Sequence, residues 1–222
     1  MLRNAVIPSL VLLGLAATTL CAVTPSDIHT IAQAVDAHYD HLHTLQADFT
    51  ETYRGPGTQR LESGTLLLKK PGKMRWEYRS PKDKLFLSDG KTAWFYVPED
   101  RQVRKTDVRK LDDLRSPLAF LLGKTRLEKE FGELSLAPDV APQTAGDVVI
   151  RGVPKALADR VNQVVFEITP TSQIVRILIE QADGSTVEYQ LTSQKENVNI
   201  PDETFRFVPP TGTEVVDGEF EQ

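Results

Sequence analysis

At 222 residues the chain is long enough for one large domain with a substantial core. Its formal net charge of −5, from 26 basic against 31 acidic side chains, argues against nucleic acid or an anionic membrane surface as the main partner. A single cysteine excludes a disulfide framework.

The chain begins MLRNAVIPSLVLLGLAATTLCAV, one early Arg3 followed by an uncharged apolar run that ends in small residues. This pattern reads as a secretory signal peptide over 1–22, with a single domain over 23–222. The run is too short for a comfortable membrane span. Cleavage near Cys21 or Ala22 would leave no thiol and would take the charge from −5 to −6, because Arg3 is the leader's one charged side chain. Cys21 as a lipidated cysteine is the less favoured reading, since Thr18, Thr19 and Leu20 do not supply the usual small-residue signal with Leu three positions ahead.

Pro25 and Ser26 are helix-start signals, and Ile28, Ile31, Val35, Leu42 and Leu45 then follow at helical spacing, so the spacing predicts an amphipathic helix over 24–45. From Gln46 the period changes to two: Ala47, Phe49, Glu51 and Tyr53 alternate with Asp48, Thr50, Thr52 and Arg54. Strands are predicted near 46–54, 59–70, 73–79, 84–88, 91–97 and 101–106, joined by Pro/Gly or Asp89-Gly90 signals that favour antiparallel neighbours. Ser116-Pro117 opens a short apolar helical insertion, SPLAFLLGK, and TRLEKEFGE reads as another helical piece. Residues 138–147 read as a polar loop. Further strands are predicted near 147–153, 161–169, 173–182 and 185–195, and FRFVPP at 205–210 reads as a last strand stopped by paired prolines. A twisted sheet of so many strands tends to curl.

Catalytic and metal-binding signatures are weak. The four histidines, His29, His38, His41 and His43, all lie in the first helix region; His38 and His41 share a face, but a solvated helix face explains them without a zinc site, and no HExxH spacing occurs. No G-x-S-x-G, P-loop or G-x-G-x-x-G is present, so a hydrolase or other enzyme is disfavoured and no cofactor is called for. The segment 99–117, with Arg101, Arg104, Lys105, Arg109, Lys110 and Arg115 among acids, reads as a solvated, salt-bridged edge strand and linker; a docking patch for an acidic partner is the alternative.

The positive signal is apolar. Phe49, Leu66, Leu68, Met74, Trp76, Tyr78, Phe86, Trp94 and Tyr96 on strands, with Phe120 and Leu121 on the insertion, would point into one interior if the sheet curled with helices over its mouth. Each alone is most simply a core residue, and periodicity does not say whether that interior is filled or hollow.

The succession ADFTET, GTLLLKKPGKMRWEYRSP, LSDGKTAWFYVPEDRQV, SPLAFLL and FRFVPPTGTEVV resembles the periplasmic outer-membrane lipoprotein carrier family, LolA, from the first helix to the C-terminal strand. The resemblance implies a mainly β fold with some α, an open antiparallel β-barrel covered by a helical lid with a hydrophobic cavity between. It also implies a monomeric periplasmic chaperone whose cavity, lined by the nine strand residues named above, shields lipoprotein acyl chains, with Phe120 and Leu121 on the lid. Its partners would be an inner-membrane ABC exporter of the LolCDE type and an outer-membrane acceptor, LolB or another. An envelope-stress sensor, or a LolB-like acceptor, is the alternative on the same fold. One position departs from the family pattern: Lys70 stands where an Arg precedes the proline of KRP and is thought to hold the lid shut. An ammonium on a flexible stem would make a looser latch than a planar five-donor fork.

Overall fold

The computed structural model describes residues 27–108 and 126–218. The predicted signal peptide, the helix-start pair Pro25 and Ser26, and the lid residues Phe120 and Leu121 lie outside them. The first element is helix α1, Ile28–His41, which buries Ile31, Ala32, Val35, Asp36 and Tyr39 along one stripe. Spacings of three and four residues bring these side chains to one face.

The predicted helix ran four residues too far. Leu42 is already extended and Thr44–Gly55 is strand β1. The strands grip the connection: Thr44 Oγ1 donates to the Val198 carbonyl at 2.6 Å, the Lys70 N–H to the His43 carbonyl at 2.9 Å, and the His43 N–H to Asn197 Oδ1 at 2.8 Å. Sheet pairing therefore overrides the helical spacing of Leu42 and Leu45.

A run of hairpins follows: β2 Thr58–Lys69, β3 Lys73–Ser80, β4 Lys84–Asp89, β5 Thr92–Val97 and β6 Gln102–Asp107. After a short helix α2, Leu127–Glu130, come β7 Phe131–Leu136, β8 Val148–Pro154, β9 Val161–Ile168, β10 Ile174–Gln181, β11 Thr186–Glu196 and β12 Glu214–Asp217. All belong to one sheet in the order β12-β6-β5-β4-β3-β2-β1-β11-β10-β9-β8-β7. Its two ends, β12 and β7, do not pair with each other, so the sheet is open.

Three expectations are corrected here. Of the described residues of the segment TRLEKEFGE read as helical, only Leu127–Glu130 is helix; its last three residues, from Phe131, open strand β7, in which Phe131 is buried. Residues 205–210 form no strand; Asp202–Phe205 is a 3-10 turn and the last strand is β12, parallel to β6. Consequently β6 is not an edge. Lys105 pairs with Asp217 of its new neighbour at 3.4 Å.

The sheet is concave toward α1. Trp76 on β3 and Tyr189 on β11 are separated by β2 and β1, roughly 14 Å of flat sheet at ~4.8 Å per strand. Their ring centroids nevertheless approach to 5.6 Å. Beneath the helix a single core cluster runs from Trp76 and Leu66 on one side through Phe49 and Leu191 to Ile177, Phe166 and Ile150 on the other.

Gly64 is required where β2 meets β3. A Cβ there would lie 1.9 Å from the Glu77 carbonyl oxygen, which is backbone and cannot step aside cheaply. Gly64→Ala should therefore destabilise the fold by about 3 kcal/mol through overpacking, read as a lower urea midpoint with the slope unchanged.

Candidate functional site

The inner face is built in rows, because residues directly opposite one another on antiparallel strands share a face. One row runs Ala47, Leu66, Trp76, Phe86, Phe95 across β1 to β5. The next row, toward the end of α1, runs Leu45, Leu68, Met74, Ser88 and Ala93. On the other side come Phe49, Gly64 and Tyr78.

Of the nine predicted cavity residues, seven occupy this inner face. Phe49, Leu66, Leu68, Met74 and Trp76 are buried, and Tyr78 and Phe86 are partly buried against them. Phe49 stacks edge-on with Trp76 at 4.7 Å and with Tyr78 at 4.9 Å. The Trp76 indole N–H donates to Met74 Sδ at 2.9 Å, a weak acceptor. Among the described residues the side chains of this face touch one another mainly through non-directional contacts.

Trp94 and Tyr96 lie on the opposite face of the sheet. Trp94 pairs with Leu87 and Tyr96 with Leu85, while it is Phe95 that pairs with Phe86. Their rings pack on Phe207 of the C-terminal segment, at 6.3 and 5.5 Å. The stretch TAWFYV is apolar at both parities, so period two could not assign its faces; Phe95 is the inner residue that the sequence reading missed. Also missed were Leu45, Leu191, Ile177 and Phe166. They belong to the helix overrun or to the second half of the sheet, where regular strand alternation was the available signal.

Lys70 reaches the last turn of α1. Its ammonium donates to the Tyr39 carbonyl and, at 3.3 Å, to the Asp40 carbonyl. Both carbonyls lie in the last turn of the helix, where a cation is favourable; that of Tyr39 also accepts the Leu42 N–H at 3.2 Å. Partial burial holds the Lys70 pKa below the usual lysine value, against the opposing pull of Asp40.

Other polar ties fix the helix. Asp36 Oδ1 accepts the Leu127 N–H at 2.9 Å, and the Tyr39 hydroxyl accepts the Ile174 N–H at 3.0 Å. His38 Nε2 meets Glu196 Oε1 at 2.8 Å, His41 Nδ1 the Ala37 carbonyl at 2.6 Å, and His29 pairs with Glu128. Among the described residues no group of three or more His, Cys, Asp or Glu is placed to hold a metal.

Beyond the aromatic rows, toward the β1–β2 turn, the inner face becomes polar. Glu51 on β1 lies between Glu62 on β2 and Tyr189 on β11. The Tyr78 hydroxyl donates to Glu51 Oε2 at 2.6 Å, and the Lys84 ammonium lies 2.6 Å from both Glu62 oxygens and 4.4 Å from the centre of the Tyr78 ring. Burial raises the Glu51 carboxyl above its ordinary pKa, the Tyr78 bond opposing; burial likewise raises the Tyr78 and Tyr189 phenols.

Residues 40–208 match the family model described as outer membrane lipoprotein carrier protein LolA. An outer-membrane lipoprotein carrier protein of Chromobacterium violaceum is 29% identical over 213 residues, 96% of this chain and 99% of that one. Its counterpart from Dechloromonas aromatica is 31% identical over 205 residues, 89% and 93% of the two chains. Among solved structures, an uncharacterized conserved protein from Thermus thermophilus superposes with a TM-score of 0.53 at 12% identity, covering 86% of this chain and 98% of that one. That likeness concerns the fold alone.

A carboxyl whose pKa is raised on folding is protonated without penalty in acid, and its destabilising effect appears as the pH rises through the unfolded and then the folded value. The stability difference between Glu51→Gln and the wild-type chain should therefore move in the variant's favour between pH 4 and pH 7, measured by urea unfolding at both.

Proposed function

The chain belongs to the outer-membrane lipoprotein carrier family LolA, and on that premise we propose that it carries lipoproteins through the periplasm with their acyl chains held between the concave sheet and α1. The observation that supports this most directly is the inner face itself: a continuous apolar surface, aromatic at its centre, covered by a helix whose contacts with it are mostly non-directional. Cargo would come from an inner-membrane ABC exporter of the LolCDE type and pass to an outer-membrane acceptor, LolB or another. Residues 1–22 serve as the export signal in this reading, and no helix among the described residues is long and apolar enough to cross a membrane.

Energetics limit how a carrier can hold such cargo. Burying a methylene yields about 0.8 kcal/mol, so a lipid anchor of about 40 methylenes would gain on the order of 30 kcal/mol, beyond the ceiling of roughly 18–21 kcal/mol for non-covalent affinity. Release from such a site would not occur. If acyl chains instead displace side chains already packed on one another, only the difference between two apolar environments drives binding. The exchange requires no catalysis by the carrier.

Lys70 acts in this reading as a tie on the last turn of α1, and Phe120 and Leu121, outside the described residues, as further lid groups. Because the ammonium binds two carbonyls through single donors, Lys70→Ala should loosen the helix without unfolding the sheet. The expected result is faster hydrogen exchange over 28–41, with exchange in β9 and β10 unchanged.

The test of the function is transfer. The mature chain is incubated with spheroplasts that make a labelled lipoprotein and carry a matched exporter, and the expected product is a soluble one-to-one complex. Trp76→Glu, which sets a charge among Phe49, Met74 and Tyr189, should abolish release of lipoprotein while the far-ultraviolet circular dichroism stays that of the wild type. Failure of the wild-type chain to release lipoprotein would overturn the proposal.

A further inference from the structure

Deepening the carrier reading, and resting on it, we infer that the polar row at the β1–β2 end of the inner face, Glu51, Glu62, Lys84 and the hydroxyls of Tyr78 and Tyr189, receives the polar head of the cargo lipid. The head in question is the junction where acyl chains meet the peptide, which presents an N–H donor and ester carbonyl acceptors. Acyl chains then run from this row along Phe49 and Trp76 toward Leu45 and Leu68, which gives the cargo one orientation in the carrier.

The composition of the row supports a ligand site rather than a structural one. Two carboxylates directly opposite one another on β1 and β2 disfavour the pairing. Among the described residues only one of them has a cation in direct contact: Lys84 lies 2.6 Å from both oxygens of Glu62, whereas Glu51 is bonded by neutral hydroxyls, that of Tyr78 at 2.6 Å and that of Tyr189, with Lys84 and Arg60 acting on it only at longer range. The row thus sets two carboxyl groups against one cation in direct contact, at the end of an apolar trough where charges are strongly felt. It also stays within reach of solvent: Glu62 is 16% and Lys84 24% exposed.

Each group has unused capacity of the right kind. A carboxylate offers about four acceptor positions, so Glu51 can take an ammonium or amide N–H beside the Tyr78 and Tyr189 hydroxyls. An ammonium has three donors, and Lys84 spends two on Glu62, leaving one for an ester carbonyl. The rows between this site and Lys70 carry no charged side chain on β1 to β3: Phe49, Gly64 and Tyr78, then Ala47, Leu66 and Trp76, then Leu45, Leu68 and Met74. A lipid lying in the trough therefore has one end suited to its head.

The head's nitrogen can be a free ammonium or an acylated amide, and two synthetic probes distinguish them: an S-dipalmitoylglyceryl-cysteinyl peptide with a free α-amine, and the same peptide N-palmitoylated. N-phenyl-1-naphthylamine, which has no such head, reports the apolar trough alone. Affinities are measured for the wild-type chain, Glu51→Gln and Lys84→Met, with Glu77→Gln on the opposite face of the sheet as control. Glu51→Gln should weaken the free-amine lipopeptide by about tenfold, the size of a lost charge-assisted hydrogen bond, and the N-acylated one less. Lys84→Met should weaken both, and naphthylamine binding should stay as in the control.

Tyr78→Phe keeps the ring and frees one Glu51 oxygen, so it should tighten the free-amine lipopeptide; this guards against a Glu51 variant that does not fold. Equal losses for lipopeptides and naphthylamine, or unchanged lipopeptide affinity in all three variants, would overturn the head-group site while leaving the carrier reading intact. A wild-type chain that binds neither lipopeptide overturns both.

Discussion

The interior depends on the register of one β-ladder, in which Leu66 stands opposite Trp76, Trp76 opposite Phe86 and Phe86 opposite Phe95. Because side chains alternate faces, a slip of one residue would exchange this row for Leu67, Arg75, Leu87 and Trp94 and bring a guanidinium under the helix. Two local features oppose a slip. Gly64 lets β2 approach the Glu77 carbonyl more closely than any side chain permits. At the β4–β5 turn, Asp89 Oδ1 accepts the N–H groups of Lys91 and Thr92, both at 2.8 Å, while Gly90 takes the positive φ that the reversal needs.

Above that ladder, two kinds of contact hold α1, and they respond differently to an entering lipid. The apolar stripe Ile31, Val35 and Tyr39 packs on a surface that hydrocarbon resembles, so exchanging one for the other changes the free energy little. The polar ties are directional: Asp36 to the Leu127 N–H, the Tyr39 hydroxyl to the Ile174 N–H, Lys70 to the last carbonyls. No acyl chain replaces these. In the proposed cycle, then, the polar ties set the cost of moving the helix, and the difference between two apolar environments sets the affinity.

Most of the first half of the sheet was legible because its strands are long, alternate cleanly and are separated by Pro/Gly or Asp-Gly turns; β2, β3 and β5 fall within a residue or two of their expected limits. The errors share a cause, namely contacts that are remote in sequence. Leu42 and Leu45 continue the helical spacing, yet Asn197 and Val198 pull that segment into the sheet. Phe131 follows a helix-forming run, yet pairing with Pro154 makes it strand, its ring edge-on to Phe166 at 5.2 Å. For the residues expected to face inward, alternation sufficed wherever the other parity was polar, as at Met74, Trp76 and Tyr78. It failed at Trp94 and Tyr96, where both parities are apolar. The polar row was not legible at all, since Glu51, Glu62 and Lys84 meet only through register.

That failure at β5 has a structural reason. Between β2 and β6 the sheet carries apolar groups on both sides; α1 packs on the inner one from β2 to β4, and the C-terminal segment covers the outer one. On the outer side Leu87 and Val103 are fully buried, and the turn holding Phe205 packs over β3 and β4. Asp202 bridges Lys69 and Lys73 at 2.7 and 3.0 Å, and Lys69 also donates to the Ile200 carbonyl at 2.7 Å. β12 then continues this cover as a parallel strand along β6. The two covers therefore differ in kind: the outer one is joined to the sheet by ladder hydrogen bonds, ion pairs and rings, the inner one by an apolar stripe and a few end ties. A sheet fixed on its outer side can surrender contacts on its inner side without losing its register, which is the asymmetry that a reversible lipid site requires.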